Sequence, residues 1–335
     1  MKTIYKFVVI FSFILVVNLR ASGNDLTKFF AKDSVVILVT DSGLGGLSIA
    51  ADLLERIKTA GLFKHVNIIF FNAQPHIKSG YNSMKSTEQK VEVFNNALTS
   101  IQRNFHPDII LIGCNTLSVI YEYTNFSKTT EIPVFGIIET GVNLIYNRIH
   151  NDNDAKVIIF ATETTVGEAK HKAGLISKGI SEENIITVAC PKLAGNIERD
   201  TESRLTDSLV TAYVDSAAGK LSDFEKLYVS YNCTHYGYID NMFQKKFAGK
   251  NLKVEEYLNP NPDMNDILFD GNYLYRYKST ETSISVVSQA ELTPGKIGSI
   301  YNLIEPVSPD AAEALFDYKF EPNFFEWSSI VGTEN

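Results

Sequence analysis

Apolar runs alternate with amphipathic stretches along most of this chain, and the alternation predicts a parallel α/β fold. The runs are short and rich in β-branched residues, as buried parallel strands are. The stretches between them repeat apolar positions at helical spacing, as in Val91, Phe94, Leu98 and Ile101. Strands are predicted over 35–39, 66–71, 109–112, 134–138, 157–160, 185–189 and 226–230. Helices are predicted from 47 and over 87–105, 117–123, 140–149, 167–178 and 204–218.

This order predicts two pseudo-symmetric, doubly wound parallel-sheet domains with the functional site in the cleft between them. We assign residues 33–132 to the first domain and 133–250 to the second. From the turn-forming Asn-Pro-Asn-Pro sequence at 259–262 the pattern of apolar positions changes. Segments at 273–277 and 284–287 alternate in polarity, which predicts antiparallel strands. Residues 251–335 are therefore predicted to form a β-rich extension that packs back on the first domain.

The first residues are predicted to be a targeting segment rather than part of the fold. Lys2 and Lys6 precede an apolar run over 7–17, and small residues follow at 21–23. This is the pattern of a signal peptide over 1–23, and the run is too short for a stable membrane span. We expect an exported, periplasmic protein. An uncleaved anchor and a buried N-terminal segment are the alternatives.

The composition limits the partners. The 335 residues carry a net charge of −8 and no Lys/Arg-rich run, so nucleic-acid binding is not expected. Three cysteines, Cys114, Cys190 and Cys233, are too few and odd in number for a disulfide framework.

Two cysteine motifs stand at the ends of predicted strands. Cys114-Asn115-Thr116 follows the strand at 109–112, and Cys233-Thr234-His235 follows the strand at 226–230. Open α/β folds bind ligands at the carboxyl edge of the sheet, so each half offers one thiol to a shared cleft. The alternatives are that each cysteine is a small buried hydrophobe, or that Cys-Thr-His is a metal site. Its spacing does not fit paired zinc ligands, so no metal is expected.

A glycine-rich turn joins the first strand to the first long helix. Asp41-Ser42-Gly43-Leu44-Gly45-Gly46 places free N–H groups and a helix N-terminus together, which is an anion-binding arrangement. The glycine spacing differs from a dinucleotide fingerprint, and no P-loop lysine follows. Asp41 would repel a phosphate, so a carboxylate beside a cationic amine suits the turn better. Alternatively, Asp41 and Ser42 simply cap the helix.

Together these motifs resemble the aspartate/glutamate racemase superfamily, and glutamate racemase most closely, over residues 35–250. Four further features match in the same order. They are Leu47-Ser48, which completes the opening motif that starts at Asp41, Gly136-Ile137-Ile138-Glu139, the threonine pair Thr162 and Thr165, and Cys190-Pro191 followed by Glu198.

The resemblance implies racemisation of a small acidic amino acid, glutamate or its relative aspartate, without a cofactor. One thiol works on each face of Cα: Cys114 would take the proton of the D-isomer and Cys233 that of the L-isomer. Asp41 and His235 would assist their neighbouring thiols, and Glu198 would take part more weakly. The family is often dimeric and supplies D-glutamate for peptidoglycan in the cytoplasm. The residues implied to bind substrate are Ser42, Asn115, Thr116, Thr162, Thr165 and Thr234.

The chain also departs from the family. The Pro-Tyr-Gly tripeptide before the first cysteine helix is absent. Aligning on the helix start at 86–89 places Tyr81-Asn82-Ser83 there, whereas aligning on the glycine places Lys78-Ser79-Gly80 there, and neither restores the motif. We therefore add Asn82 and Ser83 to the predicted substrate-binding residues. Asn232 and Gly237 replace a glycine and a proline around the second motif. Two alternatives stay open: an exported, non-catalytic binder of amino acids or peptidoglycan fragments, and another superfamily isomerase acting on a small dicarboxylate.

Overall fold

The computed structural model describes residues 26–332. The predicted signal segment at 1–23 lies outside these residues. Within the described part, all strand pairings of the sheets are parallel. The strands are β1 (Ser34–Asp41), β2 (His65–Asn72), β3 (Ile109–Ile112), β4 (Val134–Gly136), β5 (Ala155–Ala161), β6 (Ile185–Ala189), β7 (Lys226–Asn232), β8 (Glu256–Leu258), β9 (Glu281–Ser288) and β10 (Lys319–Phe320).

Helices connect these strands and cover both faces of each sheet. They are α1 (Thr27–Phe30), α2 (Leu47–Ala60), α3 (Thr87–Phe105), α4 (Asn115–Ile120), α5 (Asn125–Thr129), α6 (Ile137–Ile149), α7 (Glu163–Glu168), α8 (Lys170–Ser177), α9 (Leu193–Arg199), α10 (Arg204–Ala218), α11 (Asp240–Gly249), α12 (Pro294–Ile304), α13 (Pro309–Phe316) and α14 (Ser328–Val331). Short 3-10 helices include Tyr81–Ser83 and Tyr236–Ile239. No helix in the range 26–332 is long and apolar enough to cross a bilayer.

Two parallel sheets organise the molecule, which confirms the predicted α/β fold class. The first has the order β10-β9-β2-β1-β3-β4, and the second has the order β6-β5-β7-β8. Successive side chains of a strand point to opposite faces. Thus Ile37 of β1 packs in one core and Leu38 in another, and Ile158 and Ile159 of β5 divide in the same way. Each sheet is therefore buried on both faces.

The sheets divide the chain slightly later than the predicted domain limits. Strand β4 pairs with β3 and completes the first sheet, so the second unit begins in α6. The predicted strand at 134–138 accordingly stops at Gly136. Strand β8 pairs with β7 in the second sheet, beyond residue 250. The helix predicted over 167–178 is interrupted at Ala169, whose φ of +52° is left-handed.

The C-terminal extension is not the β-rich, antiparallel unit that the sequence predicts. Its one long strand, β9, pairs parallel to β2, and three helices, α12 to α14, account for most of the remaining regular structure. The alternation at 273–277 has another cause. The backbone N–H groups of Tyr275 and Tyr277 donate to the carbonyls of Ala60 and Gly61, at the end of α2, rather than to a neighbouring strand. Tyr273 stacks on Phe30 at 4.4 Å between ring centroids.

The extension shares the core of the first sheet. Ile300 and Ile304 of α12 are buried in the same cluster as Ile37 of β1 and Leu53 of α2.

Truncating a side chain of α12 at this core should therefore destabilise the protein as any core truncation does. We expect Ile300→Ala to lower the free energy of unfolding by about 2–5 kcal/mol. Val307→Ala, at a side chain that is 50% exposed, is the control and should change it by no more than about 0.5 kcal/mol. Equal effects in urea denaturation would show that the extension does not share this core.

Candidate active site

The first sheet brings the first predicted cysteine beside the glycine-rich turn. Strands β1 and β3 are neighbours, with Thr40 opposite Ile112, so the segments that follow them leave the sheet side by side. The Ser42 hydroxyl and the Cys114 thiol lie 3.1 Å apart (Oγ to Sγ). The Cys114 side chain is buried. The position of the thiol therefore follows from the strand register.

The second sheet repeats this arrangement. Strands β5 and β7 are neighbours, with Ala161 opposite Asn232, and this places Thr162 and Cys233 at one sheet edge. The Cys233 thiol lies 3.7 Å from Nδ1 of His235. Cys233 and His235 are both buried. Cys114, Cys190 and Cys233 all remain free thiols.

The glycine turn lets the two halves approach closely. A Cβ atom at Gly43 would lie 2.3 Å from Oε1 of Glu198, and one at Gly45 would lie 2.3 Å from Oγ1 of Thr234. Cβ atoms in proteins essentially never come this close to another heavy atom. Glycine is therefore required at both positions for the two halves to approach this closely. The capping alternative is wrong, because α2 has Gly46 at its N-cap and receives no side-chain cap.

The turn does bind an anion, and that anion is a side chain of the second half. The backbone N–H of Leu44 donates to Oε1 of Glu198 at 2.7 Å. The same carboxylate oxygen lies 2.8 Å from Nε2 of His235. The other oxygen, Oε2, accepts from Nζ of Lys296 at 2.7 Å. Glu198 is thus a buried carboxylate held by one backbone amide and two basic side chains.

These contacts set the charges on the Cys233 side. Burial raises the pKa of Glu198, but the hydrogen bonds and charges of His235 and Lys296 outweigh it and hold that pKa well below its usual range. Burial lowers the pKa of His235, but its contacts with Cys233 and Glu198 outweigh burial and raise that pKa well above its usual value. The imidazolium is therefore the favoured form of His235 beside the Cys233 thiol.

The Cys114 side has the opposite electrostatic character. Burial, and then the negative charge of Asp41, raise the pKa of the Cys114 thiol well above its usual value, although Ser42 opposes them. Burial also raises the pKa of Asp41 itself, against the opposing influence of His235 and Thr234. The thiol is therefore the favoured form of Cys114.

The structure brings most of the predicted substrate-binding residues together. The hydroxyls of Thr116 and Thr162 are 2.7 Å apart, and those of Thr162 and Thr165 are 2.9 Å apart, so one threonine chain joins the two halves. Thr234 has another partner, since its hydroxyl donates to Oδ2 of Asp41 at 2.7 Å. Asn115 is buried at the start of α4.

Asn82 and Ser83, the two predicted residues from the altered loop, make hydrogen bonds that do not involve the thiols. Ser83 is exposed, and its hydroxyl donates to the carbonyl of Gly80 at 2.7 Å, within its own turn. Asn82 is exposed and accepts a hydrogen bond from the Thr164 hydroxyl at 2.7 Å. Among the described contacts, these two side chains therefore support the loop and its junction with the second half.

Sequence reasoning missed two residues of this site. The Tyr81 ring is buried in the same hydrophobic cluster as Cys114, and burial, followed by the charge of Cys114, raises the pKa of its phenol. The alignment of 81–83 with the absent tripeptide was the available signal for Tyr81. Lys296 lies in the extension, in which the sequence shows no chemistry, and no local pattern points to it.

Several buried polar atoms around Cys114 lack a hydrogen-bond partner within residues 26–332. They are Oδ1 of Asp41, the hydroxyl of Tyr81, and both amide atoms of Asn115. An unpaired buried polar atom costs about 1–3 kcal/mol, so folded proteins rarely keep several of them in one place. Such a group of donors and acceptors is typical of a site for a polar ligand.

Comparison with known proteins identifies what this chain is similar to. It is 26% identical over 219 residues to the glutamate racemase of a Nitratiruptor species, covering 64% of this chain and 78% of that protein. It is 25% identical over 212 residues to that of Aquifex pyrophilus, covering 63% of this chain and 74% of that protein. No protein-family model matches the chain.

Solved structures show the same fold. The Francisella tularensis glutamate racemase in complex with D-glutamate has a TM-score of 0.63 at 21% identity, covering 82% of this chain and 94% of its own. A Bacillus anthracis glutamate racemase isoform has a TM-score of 0.61 at 18% identity, covering 86% and 96%. The similarity to glutamate racemases that the motifs predict is confirmed.

The raised pKa of Cys114 can be measured by alkylation. We expect the rate of its reaction with iodoacetamide, followed by peptide mass spectrometry, to reach half its maximum above the ordinary thiol pKa of about 8.5. Asp41→Asn should move this midpoint to lower pH, because it removes a negative charge that disfavours the thiolate. Asp52→Asn, on α2 and 32% exposed, is the control. A midpoint below about 8.5, or one unchanged by Asp41→Asn, would contradict this assignment.

Proposed function

We propose that this relative of the glutamate racemases racemises an acidic amino acid, most readily glutamate, by a two-thiol mechanism without a cofactor. The observation that carries the proposal is the pairing of one buried thiol from each half with opposite electrostatic surroundings. Cys233 lies beside a His235 whose pKa is raised, whereas the pKa of Cys114 is raised by burial and by Asp41. One thiol is prepared to accept a proton and the other to donate one.

Inversion at Cα requires a base on one face and an acid on the other. Starting from the L-isomer, the Cys233 thiolate takes the Cα proton, and the electron pair of the broken C–H bond remains on the substrate. The Cys114 thiol then delivers its own proton to the opposite face, leaving a thiolate there. The roles reverse for the D-isomer. The faces assigned to each cysteine follow from the family resemblance.

The two thiols have different charged neighbours. In the proposed mechanism Cys233 reacts as a thiolate, which is the effective base, and the imidazolium of His235 lies 3.7 Å from its sulfur. Asp41 disfavours a negative charge on Cys114, so that thiol retains its proton until it is transferred. Because both thiols are buried, water is largely excluded from the reacting atoms and these charge effects are strong.

The unpartnered polar atoms suit the substrate. Oδ1 of Asp41 is an acceptor for the ammonium group, and the Nδ2 of Asn115 and the Tyr81 hydroxyl are donors for carboxylate oxygens. An acidic amino acid has two carboxylates and one ammonium group, so it can satisfy all of these atoms together. Glutamate is preferred to aspartate because the curated relatives are glutamate racemases.

Export from the cytoplasm and assembly into a homodimer are two further parts of the proposal. The basic and apolar pattern of residues 1–17 supports export, which separates this protein from a cytoplasmic supply of D-glutamate. The homodimer follows from the resemblance alone. Neither affects the chemistry described above.

The proposal is tested by following loss of optical rotation from L-glutamate, and separately from L-aspartate, without any added cofactor. We expect racemisation that is lowered at least about 100-fold by Cys114→Ala and by Cys233→Ala, since each removes an acid or base. Cys190→Ala is the matched control, because Cys190 is a buried free thiol outside the proposed mechanism, and it should keep most of the activity.

Two features of the result would identify a racemase. The two isomers interconvert with an equilibrium constant of unity, so kcat/KM must be equal for L- and D-glutamate at each pH. Residual Cα exchange, if measurable, should be confined to the D-isomer in Cys233→Ala and to the L-isomer in Cys114→Ala. Binding of acidic amino acids with no racemisation would reject the proposal in favour of an exported binding protein.

A further inference from the structure

Lys296 is a partly buried basic side chain that the C-terminal extension contributes to the site. Its Nζ donates to Oε2 of Glu198 at 2.7 Å, and the lysine and glutamate side chains are 13% and 5% exposed. Ion pairs at the surface contribute little to stability because water screens them, but this pair is largely removed from water. Lys296 lies outside residues 35–250, which carry the family resemblance.

The extension holds Lys296 in place by core packing. Helix α12 begins at Pro294, is capped by the Thr293 hydroxyl, and carries Lys296 in its first turn. Ile300 and Ile304, later in the helix, are buried in the core of the first sheet. The helix also packs against α9, which carries Glu198. Helix α12 thus spans from the first half to the charged group of the second.

The two oxygens of Glu198 are divided between different partners. Oε1 faces His235 and the N–H of Leu44, and Oε2 faces Lys296. A carboxylate fixed at both oxygens has little freedom to rotate away from the imidazole. A positive charge on one side also reduces the field that its negative charge exerts on the other.

The charged and titratable groups around His235 come from four parts of the chain. Its own segment supplies Cys233 and Tyr238, whose ring lies 6.5 Å from the imidazole. Strand β1 supplies Asp41, α9 supplies Glu198, and α12 supplies Lys296 through Glu198. Lys296 is the lysine of this group, and it lies outside residues 35–250, over which the sequence motifs resemble the family.

We propose that Lys296 is a positioning residue for the Cys233 side of the site: its ammonium group fixes Glu198 against His235 and sets the pH range in which the Cys233–His235 pair is active. This inference rests on the proposed function. It makes the docked extension part of the active enzyme, because α12 both anchors in the first core and supplies the charge that orients Glu198.

The test is the pH profile of kcat/KM in Lys296→Met. Removing a positive charge raises the pKa of every nearby ionisable group, so both limbs of the profile should move to higher pH, by on the order of one pH unit. Lys296→Arg keeps the charge and should leave the profile near that of the unchanged protein. Lys319→Met is the matched control, since Lys319 is an exposed lysine of the same extension, and it should have no effect.

A second measurement keeps the two proposals separate. NMR titration of isotopically labelled histidine in the full chain, assigned with His235→Gln, should show the His235 midpoint moving upward in Lys296→Met even if no substrate is turned over. A moved midpoint without racemisation would reject the proposed function and retain the role of Lys296 in setting the pKa of His235. Lower activity with an unmoved profile and an unmoved His235 midpoint would overturn the inference and leave Lys296 a structural contact. An unchanged variant would overturn it as well.

Discussion

The site depends on one buried carboxylate. Glu198 accepts from the Leu44 N–H of the first half, from His235 of its own half, and from Lys296 of the C-terminal extension. A buried charge is tolerated only when it is paired and hydrogen-bonded, so these three donors are required together. Because they come from three parts of the chain, the carboxylate also fixes how those parts meet. The glycine at position 43 is necessary for the same reason, since a Cβ there would collide with Glu198.

The two halves each place a thiol at the same position of a parallel sheet, but in opposite electrostatic surroundings. In each sheet a thiol follows the carboxyl end of a parallel strand, where neighbouring strands bring their following loops together. Beside Cys114 the neighbouring charge of Asp41 is negative and favours the thiol, whereas the neighbour of Cys233 is the positively charged His235. The near repetition of a fold unit thus places the same residue type in two different electrostatic surroundings. The difference comes from Asp41 and His235, not from the cysteines.

Local signals predicted much of this from the sequence. Helix α3 and strands β3 and β6 have their predicted bounds, because caps, helical periodicity and buried β-branched runs are encoded nearby. Asp41, Cys114, Cys233 and His235 lie in motifs at predicted strand ends, and Glu198 follows from the family resemblance. The structure places all five in one connected group. The features that the sequence did not predict involve residues far apart in the chain. The parallel pairing of β9 with β2, the burial of Tyr81 near Cys114 and the contact of Lys296 with Glu198 depend on partners distant in the chain.

If two different thiols act on opposite faces of Cα, early turnover in D₂O leaves a distinct isotopic pattern in the two isomers of glutamate. L-Glutamate is incubated with the protein, the isomers are separated at low conversion, and Cα deuterium is measured in each by NMR. The account predicts that the D-isomer formed carries deuterium, delivered by the exchanged Cys114 thiol, while the remaining L-isomer keeps its proton. D-Glutamate that retains the original proton, or deuterium entering the L-isomer before product forms, would indicate a single base and contradict the account.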